Sequence, residues 1–293
     1  MAKMKVDSTE KKKLSRSAEV WRRYRKSPTA MIGLAIISVI ILSAIFADII
    51  VPYDYGIKQV IPDRLQGPSL KHLFGTDDLG RDLFSRVIHG SRSSLVLGIL
   101  TTAVATLIGG FLGGICAYYG NRVDNIIMRL LDVITSIPST LLSLSIVAAL
   151  GPGIRNLVIA ITVSRVPTFA RVIRSAVLNI VNQEYIEAAK AGGTRNLRIM
   201  LRHVYPNAMS PIIVQCTMSI SQLILQAAGL SFLGMGMQPP APEWGALLNS
   251  ARDFMRTAPH LMLFPGIAIV LAALAFNLVG DGLRDAFDPR LKS

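Results

Sequence analysis

Apolar residues in this chain gather in long uncharged blocks and do not alternate with polar ones at helix or strand period. Thr29 to Ala47, Ser93 to Asn121, Asn207 to Pro242 and Ala258 to Gly280 hold no Asp, Glu, Lys or Arg, and His260 is the only histidine among them. A helix that crosses a bilayer needs about 20 mostly apolar residues, and buried helices of soluble proteins seldom run so far without a charge. Each block therefore predicts a membrane span. Two weaker stretches lie between them: Val133 to Leu150, preceded by Arg129 and Asp132, and Leu157 to Ala170, interrupted by Arg165 and Pro167. Counting both gives six spans, although hydropathy alone also accommodates five or four. Pro138 and Pro167 would sit inside spans, where neighbouring helices can satisfy the freed backbone groups. Arg165, at membrane depth, is expected to face protein or water and not lipid. The fold class expected is all-α, a polytopic membrane protein.

Charge gives the bundle a direction. Only 17% of the 293 residues are charged, well short of the soluble average of about 25%, yet the net charge is +13. With six spans both ends share a side, and that side holds 21 of the 31 basic residues. Ten of these precede Thr29; the others are Arg122, Arg129, Arg171, Arg174, Lys190, Arg195, Arg198, Arg202, Arg284, Arg290 and Lys292. Because basic loops stay inside, both termini are expected to be cytoplasmic. Ser15 to Pro28, with Trp21 and Tyr24 among five basic residues, reads as an interfacial helix, and residues 1–14 as a basic tail. The first apolar block exceeds the 7–15 residues of a signal-peptide core, so it is expected to stay as a span. The chain thus divides into a cytoplasmic tail and interfacial helix (1–28), a first span (29–51), an extracytoplasmic segment (52–92), a core of five spans (93–282) and a cytoplasmic tail (283–293).

Within the core, the cytoplasmic loop 182–207 is the most informative segment. Asn182 is a plausible N-cap, and Glu184 and Glu187 fall early in a helix, where its dipole favours acids. Ala188, Ala189 and Gly192 then share one face that has almost no side chain and lets another surface approach the backbone. Gly193 suits a left-handed stop, and Thr194 can cap a second helix. In that helix Leu197, Met200, Leu201 and Val204 are expected on one side, and Arg195, Arg198 and Arg202 on another. The pair reads as a short helix-turn-helix, one helix offered to a partner and one laid on the bundle.

Glu187-Ala188-Ala189, three residues, Gly193, then twelve residues to Pro206 resembles the EAA motif of permease subunits of type I ABC importers. His203 and Tyr205 stand where that family has apolar residues, a departure that resembles its peptide/nickel branch. Two further segments carry the likeness. Phe74 to Arg86, with Gly75, Thr76, Asp77, Gly80, Arg81 and Asp82, resembles the signature after the first span of the second permease of dipeptide and oligopeptide importers. Leu230 to Gly234, Glu243-Trp244-Gly245 and Phe276 to Arg290, with Asn277, Gly280, Asp281, Arg284, Asp285 and Asp288, resemble its C-terminal third. The resemblance covers the chain from about residue 20 and implies a type I ABC importer permease fold in a prokaryotic cell membrane.

It implies, further, that Glu184, Glu187, Ala188, Ala189, Gly192, Gly193 and Pro206 belong to a coupling helix and loop docking in a cytoplasmic ATPase. The partners implied are a second homologous permease, two ATPases that hold ATP and magnesium, an extracytoplasmic solute-binding protein and a di- or oligopeptide cargo. Nickel complexes or glutathione are the alternative cargoes, and this chain itself is expected to bind no cofactor. Bland readings stand beside these. Gly75 to Arg86 could be a turn that caps an external helix, and Asp281, Arg284, Asp285 and Asp288 are spaced for local ion pairing.

Other functions fit poorly. There is no Gly-x-x-x-x-Gly-Lys-[Ser/Thr] phosphate loop and no His-Glu-x-x-His, so neither an ATPase nor a zinc protease is encoded. Basic residues scattered over separate loops do not form one nucleic-acid-binding face. Cys116 and Cys216 both fall within spans and read as small buried residues, not as a disulfide or metal pair. A self-sufficient channel or secondary transporter needs only the spans, and would differ by working without ATP or partners. For a path through the bundle, the sequence offers Ser219 and Ser221 of the fifth span.

Overall fold

A computed structural model describes residues 16–288, so Lys3 to Lys13, Pro289, Arg290 and Lys292 lie outside the described residues. In chain order the helices are α1 (Arg16–Tyr24), α2 (Pro28–Ile45), α3 (Ala47–Ile50), α4 (Tyr53–Ile57), α5 (Leu83–Tyr119), α6 (Asn121–Thr135), α7 (Ser139–Leu150), α8 (Ile154–Val181), α9 (Glu184–Ala191), α10 (Asn196–Ile199), α11 (Tyr205–Phe232), α12 (Trp244–Ala251) and α13 (His260–Phe287). Five are long and apolar enough to cross a membrane: α2, α5, α8, α13 and the continuous run from α10 through α11. α6 and α7 pass the same test only as a pair bent by 80° at the break, which gives six spans if the pair is one broken span and five if it is a re-entrant loop.

Pro138, expected within a continuous span, stands at that break and outside both helices. Pro138 is the N-cap of α7 with extended ψ, and its ring disfavours helical backbone at Ile137, the residue before it, so α6 cannot run on into α7. Pro167, in contrast, lies within α8 and is buried by its neighbours. α5 starts ten residues before its charge-free block because Asp82 caps it, accepting from Ser85 N at 2.8 Å. At 37 residues α5 is about 55 Å long and projects well beyond the hydrocarbon layer.

The bundle closes around α5 and α8, which touch at backbone distance. A Cβ on Gly113 would stand 2.2 Å from the Ala170 carbonyl oxygen, and one on Gly109 2.7 Å from Phe169 Cβ. Two glycines four apart on one helix face permit this approach, which dispersion between apolar helices in a bilayer requires. Arg174 clasps Asp124 through both Nε and Nη2, and Arg171 reaches Asp132 at 2.7 Å, so α6 is pinned to α8.

Both described ends lie on one side. Arg23 Nη1 donates to the Asp288 carbonyl at 3.3 Å, and Tyr24, Ala30 and Ala286 form a small apolar cluster. Tyr24 is therefore buried, with its hydroxyl on the Ala30 carbonyl, and only Trp21 stays at the exposed position expected of both aromatics. α13 supplies an apolar surface to that ring.

Candidate functional site

The candidate site is the cytoplasmic loop between α8 and α11, built on a floor of apolar residues. Ile186 of α9 is fully buried in a cluster with Ile173, Val177 and Val181 of α8, Ile199 of α10, and Ala208 and Ile212 of α11. Above this floor, Glu184, Tyr185, Glu187, Ala188, Lys190, Gly192 and Gly193 are exposed, while Ala189 turns half inward. α9 ends in a Schellman stop: Gly193 N bonds Lys190 O at 3.0 Å and Thr194 N bonds Ala189 O at 3.1 Å. Gly193 has φ +75° with nothing within 4 Å of a Cβ position, so conformation and not space selects glycine there.

Polar contacts bind the loop to α5 and α11, as the apolar floor binds it to α8. Lys190 Nζ lies 5.1 Å over the Tyr118 ring of α5, and the Tyr118 hydroxyl donates to Asn196 Oδ1 at 2.8 Å. Asn207 Nδ2 donates to the Tyr185 hydroxyl at 3.4 Å, and the Tyr205 hydroxyl to the Gly110 carbonyl at 3.1 Å. The exposed face of α9 is thus the outer surface of a block continuous with α5, α8 and α11.

Three sequence expectations for this loop are corrected. The N-cap is Gln183, not Asn182, which instead ends α8. The residue before α10 is Arg195, not Thr194. Leu197 and Leu201 are 68% and 61% exposed, while Ile199, Met200 and Val204 point inward. The cause is a π-turn over Met200–Val204, in which Tyr205 N bonds Met200 O five residues back. Pro206 has no N–H to continue the α-ladder, and the wider turn accommodates its ring. The buried stripe then runs from 199 to 204 in a step of five before resuming 204, 208, 212. The second helix is therefore the cytoplasmic start of the fifth span and not a separate helix.

On the opposite side, the segment Gly75 to Arg86 folds inward. Thr76, Asp77, Arg81 and Arg86 are all buried. Asp77 accepts from Leu79 N, Arg81 N and Arg81 Nε, the last at 2.7 Å, and Arg86 Nη1 donates to the Gly56 carbonyl at 2.8 Å. Asp82 holds His72 Nδ1 at 2.9 Å while capping α5. Gly75 and Gly80 take φ +81° and +73° to turn this segment over the end of the helix. Close by, Glu243 caps α12 through Gly245 N and Ala246 N and accepts from Ser94 Oγ at 3.2 Å. Burial pushes its carboxyl above the usual carboxylate range. In the C-terminal signature, Gly280 packs on Met218, Asn277 is half-buried, and Asp281, Arg284 and Asp285 are exposed. Asp281, Arg284 and Asp285 form no ion pair with one another among the described residues.

Ser219 and Ser221 are both buried inside the bundle; Ser219 accepts from Gln215 Nε2 at 3.0 Å, and Ser221 has no hydrogen-bond partner among the described residues. A different polar group reaches the surface at membrane depth. Arg165 Nε donates to Gln226 Oε1 at 2.8 Å and Nη1 to Gln222 Oε1 at 3.4 Å, while Gln226 Nε2 donates to Ser143 Oγ at 3.2 Å. Only the intramembrane charge of Arg165 signalled this cluster in the sequence; its glutamine and serine partners come from two other helices, α11 and α7.

A six-span α bundle with a short helix presented on the cytoplasmic side is the architecture of an ABC importer permease. The fold is similar to one chain of the inward-facing MetNI methionine ABC transporter, with a TM-score of 0.57, 18% identity, and 69% of this chain and 97% of that chain covered. The chain belongs to the binding-protein-dependent transport system inner membrane component family, which matches residues 105–293. Residues 15–68 match the N-terminal transmembrane domain of oligopeptide transport permease C. Among its relatives are the dipeptide transport system permease protein DppC of Alkalihalophilus pseudofirmus, 47% identical, with 94% of this chain and 90% of the relative covered. The glutathione transport system permease protein GsiD of Escherichia coli is 46% identical with the same coverage. The di/tripeptide permease DppC of Pseudomonas aeruginosa is 44% identical, with 94% and 92% covered. This is a multi-pass permease of a prokaryotic inner membrane.

Proposed function

We propose that the chain is one of two homologous permease subunits of an ATP-driven importer that carries di- or oligopeptides handed over by an extracytoplasmic binding protein. Two cytoplasmic ATPases bind ATP and magnesium, and one of them docks on α9 and moves it. The chain's own part is mechanical, with no catalytic residue of its own. One observation carries this reading: the exposed, nearly side-chain-free face of Ala188 and Gly192 sits on an apolar block shared by α5, α8 and α11. A push on that face is delivered to three spans together. Relatives named for dipeptides and for glutathione are equally near, and glutathione is itself a short peptide, so the cargo class covers both.

The test is uptake of a labelled dipeptide by the assembled importer carrying Glu187→Lys or Gly193→Val. The first reverses a charge on the docking face, and the second forces a β-branched residue to positive φ, costing roughly 1–2 kcal/mol. Both variants are expected to insert normally, lose most uptake and release the ATPases on purification. Full transport with ATPases retained would remove α9 from the coupling role.

A further inference from the structure

Arg165 has no carboxylate partner among the described residues, although it lies deep in the membrane. It stands about 16 Å from the external end of α8, and Gln222 about 15 Å from the external end of α11, which places both near the middle of the hydrocarbon layer. Its anchoring is elaborate. Gln226, itself buried, takes Nε; Ser143 takes the Gln226 amide; Ser164 lies 2.9 Å from Ser143 Oγ and donates to the Ile161 carbonyl. Every group in this chain behind Arg165 is satisfied. At the tip the pattern reverses. Nη1 makes one long bond to exposed Gln222, and the other three N–H groups make no hydrogen bond with any described residue. Thr168, one turn on, is exposed on the same helix.

A guanidinium is charged at every physiological pH. Lipid tails offer it nothing, so a half-open guanidinium at this depth must face water or another protein surface. A buried network that fixes only one nitrogen pre-organises the remaining donors for a planar, two-oxygen acceptor. We infer that Arg165, held by Gln226 and flanked by Gln222, lines the translocation path and binds the carboxylate of a peptide in transit. The inference rests on the peptide-importer reading and adds to it a recognition point within the membrane. Its strength should be modest, since cargo must also leave.

The test uses the complete importer in liposomes, with saturating binding protein, and compares a dipeptide with its C-terminal amide. The wild type is expected to carry the acid about tenfold faster, the worth of one charge-assisted contact. Arg165→Gln should bring the acid down to the rate of the amide, and Arg165→Lys should keep part of the preference. In parallel, Arg165→Cys with Cys116 and Cys216 changed to alanine should react with a membrane-impermeant thiol reagent. An unchanged acid-to-amide ratio in Arg165→Gln overturns the inference. So does an unreactive Arg165→Cys importer, whether or not Arg165→Gln assembles, because the side chain would then face a partner helix. Wild type that carries neither compound would overturn the peptide reading and this inference together. Uptake of both, with discrimination independent of Arg165, would overturn the inference alone.

Discussion

Glu243 shows how one buried acid can set a pH response. Its carboxyl is 1% exposed, and desolvation outweighs the two backbone N–H groups and the Ser94 hydroxyl that favour its charge. The folded-state pKa is raised, so its stabilising contribution is complete below the unfolded value and is lost as pH rises through the folded value. Glu243→Gln carries no proton to lose. Thermal unfolding of detergent-solubilised protein should therefore fall less steeply with rising pH in the variant, at a cost of about 1 kcal/mol for the weakened cap. An identical slope would mean that Glu243 does not titrate in that range. None of this was legible in sequence, where Glu243-Trp244-Gly245 was a matching triplet only. Its burial depends on Ser94, which is 149 residues away. Gly193, by contrast, was legible, because a helix-stop glycine is a local requirement that no distant contact alters.

Among the elements, long charge-free blocks announced α2, α5, α11 and α13, since a bilayer imposes length and composition on each span independently. Details set by a single proline were harder. Pro138 breaks a span where Pro167 does not, and Pro206 shifts the register of the loop by one residue. The difference lies in what surrounds each ring, and hydropathy does not carry that. The α5–α8 contact yields a firm expectation. Gly113→Val would drive a branched side chain into the Ala170 backbone, where no rotamer can yield, and should destabilise the bundle by about 1–3 kcal/mol. Retention of the monodisperse peak on heating in detergent would measure it; a wild-type midpoint would mean that the helices stand further apart.

For the whole molecule, the +13 charge gave orientation, and the motif at 184–206 gave the exposed helix on which the ATPase is proposed to dock. The polar cluster around Arg165 remained out of reach because its members come from α7, α8 and α11 and are joined only by folding. The Arg174–Asp124 pair works at this scale too, since it ties the broken span to the block beneath α9. Asp124→Arg should loosen α6 and lower uptake several-fold, and the exchange Asp124→Arg with Arg174→Asp should restore much of it. A double-mutant cycle of uptake and thermal stability would read the coupling, expected at about 1.5–3 kcal/mol for a charge-assisted pair. Additive losses would show that the two residues act separately.

The meeting of the chain's two ends has a consequence for how the protein is made. The inner face of α2, at Ala30 and Gly33, packs on Gly282, Leu278 and Ala275 of α13, a span made long after it. α2 therefore waits through synthesis of some 230 residues, from Pro28 to His260, before this partner arrives. Until then its small-residue face meets lipid, and the bundle stays open along one seam. Closure of that seam is in this sense timed by α13, and a chain halted before His260 would hold most of the described spans without being able to close it.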